Sequence, residues 1–368
     1  MTPVRAIETR ITSLLKCRYP VLLPGMSWIS TPELVAAVCN AGGVGILATG
    51  PLNADETRAS IRRIRQLLRN PETTTFGIGA TLLMPGAKEN AEIALEEQVP
   101  LINVSLGKAD WISEGVKNYG GNVLATVTNA KHAAGAVKSG ADALMLTGHE
   151  AAAHGGDVTS LVLVPSLAKQ FPEVPIVAAG GFATGQGLAA ALSLGADAVA
   201  MGSRLAVTKD SPLAHPVKEA VIQSTEADTV YGKNFDGIFA RVMKSPVSQQ
   251  LMEKPPAVTT VAYRAFQAAR QMSIPLYKVI PGLLTQWDKM YTVAQFGAAT
   301  QRLEAATISG DLKEGVQFIG QCQGLIKDIP EVDDLMQRIM KEASETSHRT
   351  SSYFDNGDDI DFDYGRTG

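Results

Sequence analysis

"PIVAAGGFATGQGLAAALSLGADAVAMGS", residues 175–203, holds one complete architectural unit of the chain. An apolar run ends in Gly180-Gly181, a stretch with helical spacing follows (185–197), and a second apolar run ends in Gly202-Ser203. Both runs are apolar throughout rather than alternating, as expected of strands covered on both faces of a parallel sheet. A strand, a crossover helix and a second strand form a βαβ unit.

The pattern repeats outward from this unit. Apolar runs at 19–23, 44–48, 76–83, 101–106, 122–127 and 143–148 bring the number of candidate strands to eight. Helical spacing separates them, as in "TPELVAAVCNAGG" (31–43) and "DETRASIRRIRQLLRN" (55–70). Eight β-then-α units predict an α/β protein of the (β/α)8 TIM barrel type, with an open doubly wound sheet as the alternative. Gly-Ala-Asp-Ala occurs at 140–143 and again at 195–198, each time leading into a strand, a local echo of the unit rather than a solenoid repeat.

From about residue 213 the spacing is helical without intervening strands: 215–225, 259–272, 286–306, 311–327 and 332–346. The expected division is a barrel over 1–230, a C-terminal helical extension over 231–345, and a disordered acidic tail over 346–368. The tail's Asp355, Asp358, Asp359, Asp361 and Asp363 lack the terminal Glu of a calcium loop, so no metal is expected there.

Composition narrows the function classes. Of 368 residues, 45% are hydrophobic and 19% charged, an ordinary globular balance. A net charge of −4 argues against a nucleic-acid partner. No apolar run reaches the roughly 18 residues of a membrane span, and the N-terminus does not read as a secretory signal. Cys17, Cys39 and Cys322 lie far apart, with no metal or disulfide spacing. A cytoplasmic protein is the expectation.

In barrels of this kind the working face lies where strands end, and a phosphate commonly sits between the last two βα loops. Gly180, Gly181 and Gly202 would let a phosphate approach the backbone, and Ser203 could add a hydroxyl; tight turns alone would also use such glycines. No G-x-G-x-x-G follows a strand, so a mononucleotide-type cofactor, FMN, fits better than a dinucleotide. The sixth strand leads into "GHEAAAHGGD" (148–157), which carries His149, Glu150 and His154 among residues with almost no bulk. Such a loop could leave a slot beside a flat ring, with an imidazole poised to move a proton. Met26 and Trp28, after the first strand, are candidates to line that slot. His132 and His215 read as structural.

These stretches, with "RYPVLLPGMSWISTPELVAAVCNAGGVGIL" (18–47), resemble the nitronate monooxygenase family of FMN-dependent TIM barrels, over about residues 8–245. The resemblance implies the catalytic histidine at His154, flavin contacts at Pro24, Gly25 and Met26, and phosphate contacts at Gly180, Gly181, Gly202 and Ser203. Three positions depart from the family pattern. Pro and Gly have exchanged places in the first loop, Gly79 stands where an asparagine is usual, and Thr126 stands where a lysine or glutamine is common. Both Gly79 and Thr126 still fall at flavin-facing strand ends. His149 and Glu150 are candidate substrate contacts.

The implied activity is oxidation of alkyl nitronates by O2 to a carbonyl compound and nitrite. Relatives in the family also imply NAD(P)H-dependent reduction of quinones or of enoyl thioesters, with NAD(P)H or an acyl carrier as a further partner. A reading of another class, an FMN-binding partner subunit without catalysis, stays open at this point. A homodimer is compatible with the sequence but not required by it.

Overall fold

A computed structural model of the chain describes residues 7–152, 154–253 and 299–355. Eight parallel strands close into a barrel in sequence order. They are β1 (Val21–Leu23), β2 (Val44–Ala48), β3 (Gly77–Thr81), β4 (Leu101–Ser105), β5 (Asn122–Val127), β6 (Ala143–Thr147), β7 (Ile176–Ala179) and β8 (Ala198–Ala200). β8 pairs back onto β1 with Leu22 opposite Ala200. Each predicted run contains one strand, and the closure excludes the open sheet.

The outer ring comprises α2 (Pro32–Asn40), α3 (Ala54–Leu67), α4 (Ala87–Glu96), α5 (Asp110–Lys117), α6 (Ala130–Lys138), α7 (Ser160–Gln170) and α8 (Gly185–Ser193), with α9 (Gly202–Ala206) after β8. A short α1 (Arg10–Leu15) precedes the barrel. Its Ile11 and Leu15 are buried in the barrel interior with Leu22, Ile46, Leu101 and Val177. A larger apolar shell lies between strands and helices. Burial of this kind contributes about 25 cal/mol per Å² of apolar surface.

The repeated Gly-Ala-Asp-Ala has one physical cause in both copies. Gly140 and Gly195 take φ of 86° and 93°, open to glycine and costly for other residues. Two residues on, the Asp142 carboxylate accepts the Val123 N–H at 2.7 Å, and the Asp197 carboxylate accepts the Ile176 N–H at 2.8 Å. Each aspartate thus ties the start of its strand to the strand before it.

The C-terminal part departs from the sequence reading in three places. The boundary drawn at 230 falls inside an antiparallel hairpin, β9 (Thr229–Gly232) with β10 (Ala240–Met243), between α10 (His215–Gln223) and α11 (Pro246–Glu253). Residues 311–327, expected to be helical, form turns, irregular chain and a 3-10 turn at Gln321–Leu325. Gly315, Gly320 and Gly324 weaken a helix there, each by about 1 kcal/mol. The backbone finds partners elsewhere: Met243 N–H donates to Gln317 O, Gly320 N–H to Ser203 Oγ, and Gln321 N–H to Glu150 O. Finally, the helix begun at Val332 continues through Asp355, ten residues into the expected tail. It packs along α8 and α2, and Glu342 accepts the Gly185 N–H at 2.9 Å. The expected helix over 259–272 and most of 286–306 lie outside the described residues, as do 356–368.

Candidate active site

The strand C-termini open into a cavity of about 1840 Å³. Pro24, Gly25, Met26, Gly79, Thr126, Gly180, Gly181, Gly202 and Ser203 all lie on its wall, together with Glu150 and His154. These residues come from six different strands and the loops after them, which the barrel alone brings together.

The floor is made of small residues. Ala48, Ala125, Ala179 and Ala200 line it beside Gly25 and Gly79. A Cβ placed on Gly79 would meet only Leu47 O at 3.5 Å and one β2 side-chain methyl at 4.0 Å, so the space of the absent side chain stays open. Asn103 on β4, which sequence reasoning passed over, also lies on the wall. Its amide donates to Thr126 Oγ1 at 2.9 Å and to Leu124 O at 3.0 Å, holding a polar pair on the floor. A lone Asn in the apolar run 101–106 was the available signal.

The late-strand loops meet the requirements of an anion cradle. Gly180 and Gly181 have φ of 97° and 89°. A Cβ on Gly180 would stand 3.1 Å from Ala151 and from Gly148 O, so glycine is required there by loop packing as well as by backbone angle. Gly202 and Ser203 open α9, whose first N–H groups have no intrahelical acceptor. The Ser203 hydroxyl oxygen also accepts the Gly320 N–H at 3.0 Å, binding the C-terminal segment to this corner. These features fit a flat ring system with an anionic end: a shallow apolar floor, small residues around it, and donors at one side.

His154 is one-quarter exposed and its Nε2 lies 2.7 Å from Asp236 Oδ2, whose side chain is 1% exposed. A carboxylate there accepts, which places a hydrogen on Nε2. Asp236 Oδ1 in turn accepts the Ile238 N–H at 3.1 Å. Phe318 presents an edge-on ring to the imidazole at 6.1 Å. Asp236 sits between β9 and β10, 82 residues from His154, and nothing in "KNFDGIFA" distinguished it.

Glu150 lines the cavity, but its carboxylate is engaged. Oε1 and Oε2 accept the Ser160 N–H at 3.1 and 2.9 Å, and Oε2 accepts the Ser160 hydroxyl at 3.1 Å. It caps the start of α7 and orients the loop. His149 is not among the residues on the wall. Its Nδ1 lies 3.1 Å from Gly156 O, and its ring meets Tyr231 at 4.6 Å. Its carbonyl accepts two N–H groups of the buried Arg241, at 3.0 and 3.2 Å. Burial pushes the Arg241 pKa down, yet the group remains cationic over the Tyr231 ring.

The scarcity of bulk in 148–157 therefore has a cause beyond room for a ligand. A Cβ on Gly148 would fall 2.2 Å from Ser160 Oγ, and one on Gly155 would fall 2.6 Å from Gly148 O. The loop folds tightly on itself before it meets the cavity. Met26 and Trp28 line the cavity as expected, Trp28 with φ of 60°. His215 opens α10 beside Glu219, and His132 sits exposed on α6 at the cavity's outer wall. Burial pushes the thiols of Cys17 and Cys39 up to about 12 and that of Cys322 to about 11, which disfavours the nucleophilic thiolate. Among the described residues no group of three or more His, Cys, Asp or Glu could hold a metal. Asp358, Asp359, Asp361 and Asp363 lie outside them. No described helix is long and apolar enough to cross a membrane.

Fold and cavity define a (β/α)8 barrel with a large cavity at its strand C-termini. The nitronate monooxygenase family model matches residues 8–342, and the chain belongs to that family and is an oxidoreductase. It is 32% identical over 351 residues to a Mycobacterium tuberculosis protein, (3aS,4S,5R,7aS)-5-hydroxy-7a-methyl-1-oxo-octahydro-1H-indene-4-carboxyl-CoA dehydrogenase, covering 92% of this chain and 96% of that one. A Staphylococcus aureus probable nitronate monooxygenase is 27% identical, over 67% of this chain and 81% of its own. The structure of FabK from Thermotoga maritima superposes with a TM-score of 0.77 at 31% identity, covering 94% of this chain and 99% of that one.

Proposed function

We propose that this chain is an FMN-dependent oxidoreductase acting on the carbon–carbon bond beside the carbonyl of an acyl thioester. The observation that carries the reading is the cavity: about 1840 Å³, against the 300–1,000 Å³ usual for a small-ligand pocket. A flavin ring and a nitroalkane would leave much of it empty, whereas a ring and a thioester with its long arm would fill it. Near end-to-end similarity to a carboxyl-CoA dehydrogenase supports the same substrate class. The family's enzymes make the non-catalytic alternative unnecessary.

Gly180, Gly181, Gly202 and Ser203 would hold the FMN phosphate, and Pro24, Gly25, Met26, Gly79 and Thr126 would face the ring system. Bound there, FMN accepts or donates the electron pair. The chain's own task is the proton. His154, fixed by Asp236, takes it from the carbon next to the thioester carbonyl during dehydrogenation, or returns it during reduction. Phe318 and the small-residue loop exclude water from that side. Glu150 and His149 position the loop.

Nitronate oxidation is the second reading, favoured by the family match and by the same imidazole, which can take the α-proton of a nitroalkane. The two readings separate under anaerobic conditions. Bleaching of the bound flavin by a saturated acyl-CoA, or reoxidation of reduced flavin by a 2-enoyl-CoA, supports the thioester reading. Bleaching by propionate-3-nitronate with no response to either thioester replaces it with the second.

A further inference from the structure

The cavity does not end at the strand C-termini. Its wall runs along one face of α6, through Lys131, Gly135 and Lys138, opposite the β4–α5 loop that carries Lys108. Positions 131, 135 and 138 share a helix face, with the two lysines about 10 Å apart along the axis. A Cβ added to Gly135 would meet nothing within 4 Å, so a slot lies open between them. All three lysines are exposed. Lys88, Lys209 and Lys341, elsewhere on the surface, have carboxylate partners at 3.3–3.8 Å. No carboxylate of the described residues lies within 4.0 Å of Lys108, Lys131 or Lys138. Asp110 is the acidic side chain beside Lys108, Asp157 lines the cavity past the start of α6, and His132 is the neighbouring titratable group.

Three cations against two anions, beside an apolar cavity, leave a net positive arm that favours a polyanionic end of a ligand whose other end is apolar. Lysine ammonium groups serve as point charges for phosphate. We propose that this arm of the cavity binds the phosphorylated nucleotide of a CoA thioester, with Lys108, Lys131 and Lys138 as its phosphate contacts, while the acyl group lies at His154. The assignment rests on the acyl-thioester reading and adds to it the carrier: free CoA rather than a carrier protein.

The test uses the full-length, flavin-loaded protein, the variant Lys131→Glu/Lys138→Glu and the control Lys341→Glu. CoA and pantetheine are titrated calorimetrically, and KM is measured for one acyl group carried on each. The double variant is expected to weaken CoA binding and raise the acyl-CoA KM by at least about tenfold, with the acyl-pantetheine KM moving by less than about twofold. The wild-type preference for CoA should shrink as salt is raised. Lys341→Glu should change neither. Undiminished CoA affinity in the double variant overturns the lysine site and leaves the thioester reading standing as long as thioesters turn over. Turnover of carrier-protein thioesters with no use of CoA thioesters overturns the nucleotide assignment. Wild-type protein that neither binds CoA nor turns over any thioester overturns both.

Discussion

The His154–Asp236 and Arg204–Asp328 pairs both join a segment that follows a barrel strand to residues far along the chain, yet they expose opposite partners. In the first, the carboxylate is buried and the imidazole is 25% exposed at the cavity. In the second, the guanidinium is 2% exposed and the carboxylate 44%. Arg204 donates to Asp328 Oδ1, to Asp328 O and to Val207 O. Burial lowers its pKa, the Asp328 charge opposes that, and it stays a cation. The difference teaches which pair can do chemistry. A buried carboxylate holding an imidazole on the cavity wall is placed to serve a ligand there; a buried permanent cation under a solvated carboxylate fastens the C-terminal segment to the barrel.

The comparison breaks most sharply at His154. His154→Ala should lower turnover by about 10²–10⁴-fold with flavin content unchanged; a rate within threefold of wild type would make the first pair structural like the second. Arg204→Ala should do the converse. It removes a buried side chain and strands two carbonyls, costing about 2–4 kcal/mol in denaturant unfolding, while kcat of the folded fraction holds. A stability loss below about 0.5 kcal/mol would show that the fastening lies elsewhere.

Asp236→Asn keeps the shape of its partner and removes the charge. A loss of about tenfold to a hundredfold in kcat, or about 1.4–2.7 kcal/mol, is expected with little change in unfolding. The smallest effect concerns acid. The Arg338 hydrogen bond and the two guanidinium charges hold the Asp328 carboxyl below its ordinary range. A depressed folded-state pKa contributes stability that is present above the unfolded value and lost as pH falls through the folded one. Asp328→Asn should therefore flatten the stability profile below about pH 4, by no more than about 1 kcal/mol given its solvent exposure. An unchanged acid limb of the unfolding curve would count against that pair.

Much of the fold was legible. Each of the eight strands was marked by a continuous apolar run, because a strand covered on both faces writes its burial into every position. The Gly-Ala-Asp-Ala repeats were visible as a pattern, though their role in strand tethering was not. Residues 311–327 misled: Val316, Phe318 and Ile319 have a plausible helical spacing, while the partners that outcompete the helix, Ser203 and Glu150, lie more than a hundred residues away. His154 and the late glycines, which sit in local motifs, all lie on the cavity wall. Asp236 and Asn103 could not be joined to them, and His149, read as a candidate substrate contact, does not lie on the cavity wall.

What the chain determines by itself is local: strand and helix periods, glycine corners, and the small-residue loop after β6. These follow from steric and burial preferences acting over a few residues. What only the tertiary structure decided is the choice between neighbours of similar chemistry. Barrel closure and the β9–β10 hairpin carry one carboxylate to His154 and cover His149 with Tyr231, and the folded wall leaves Lys131 and Lys138 facing an open slot. Those outcomes depend on contacts between segments tens to hundreds of residues apart, whose geometry no local pattern encodes.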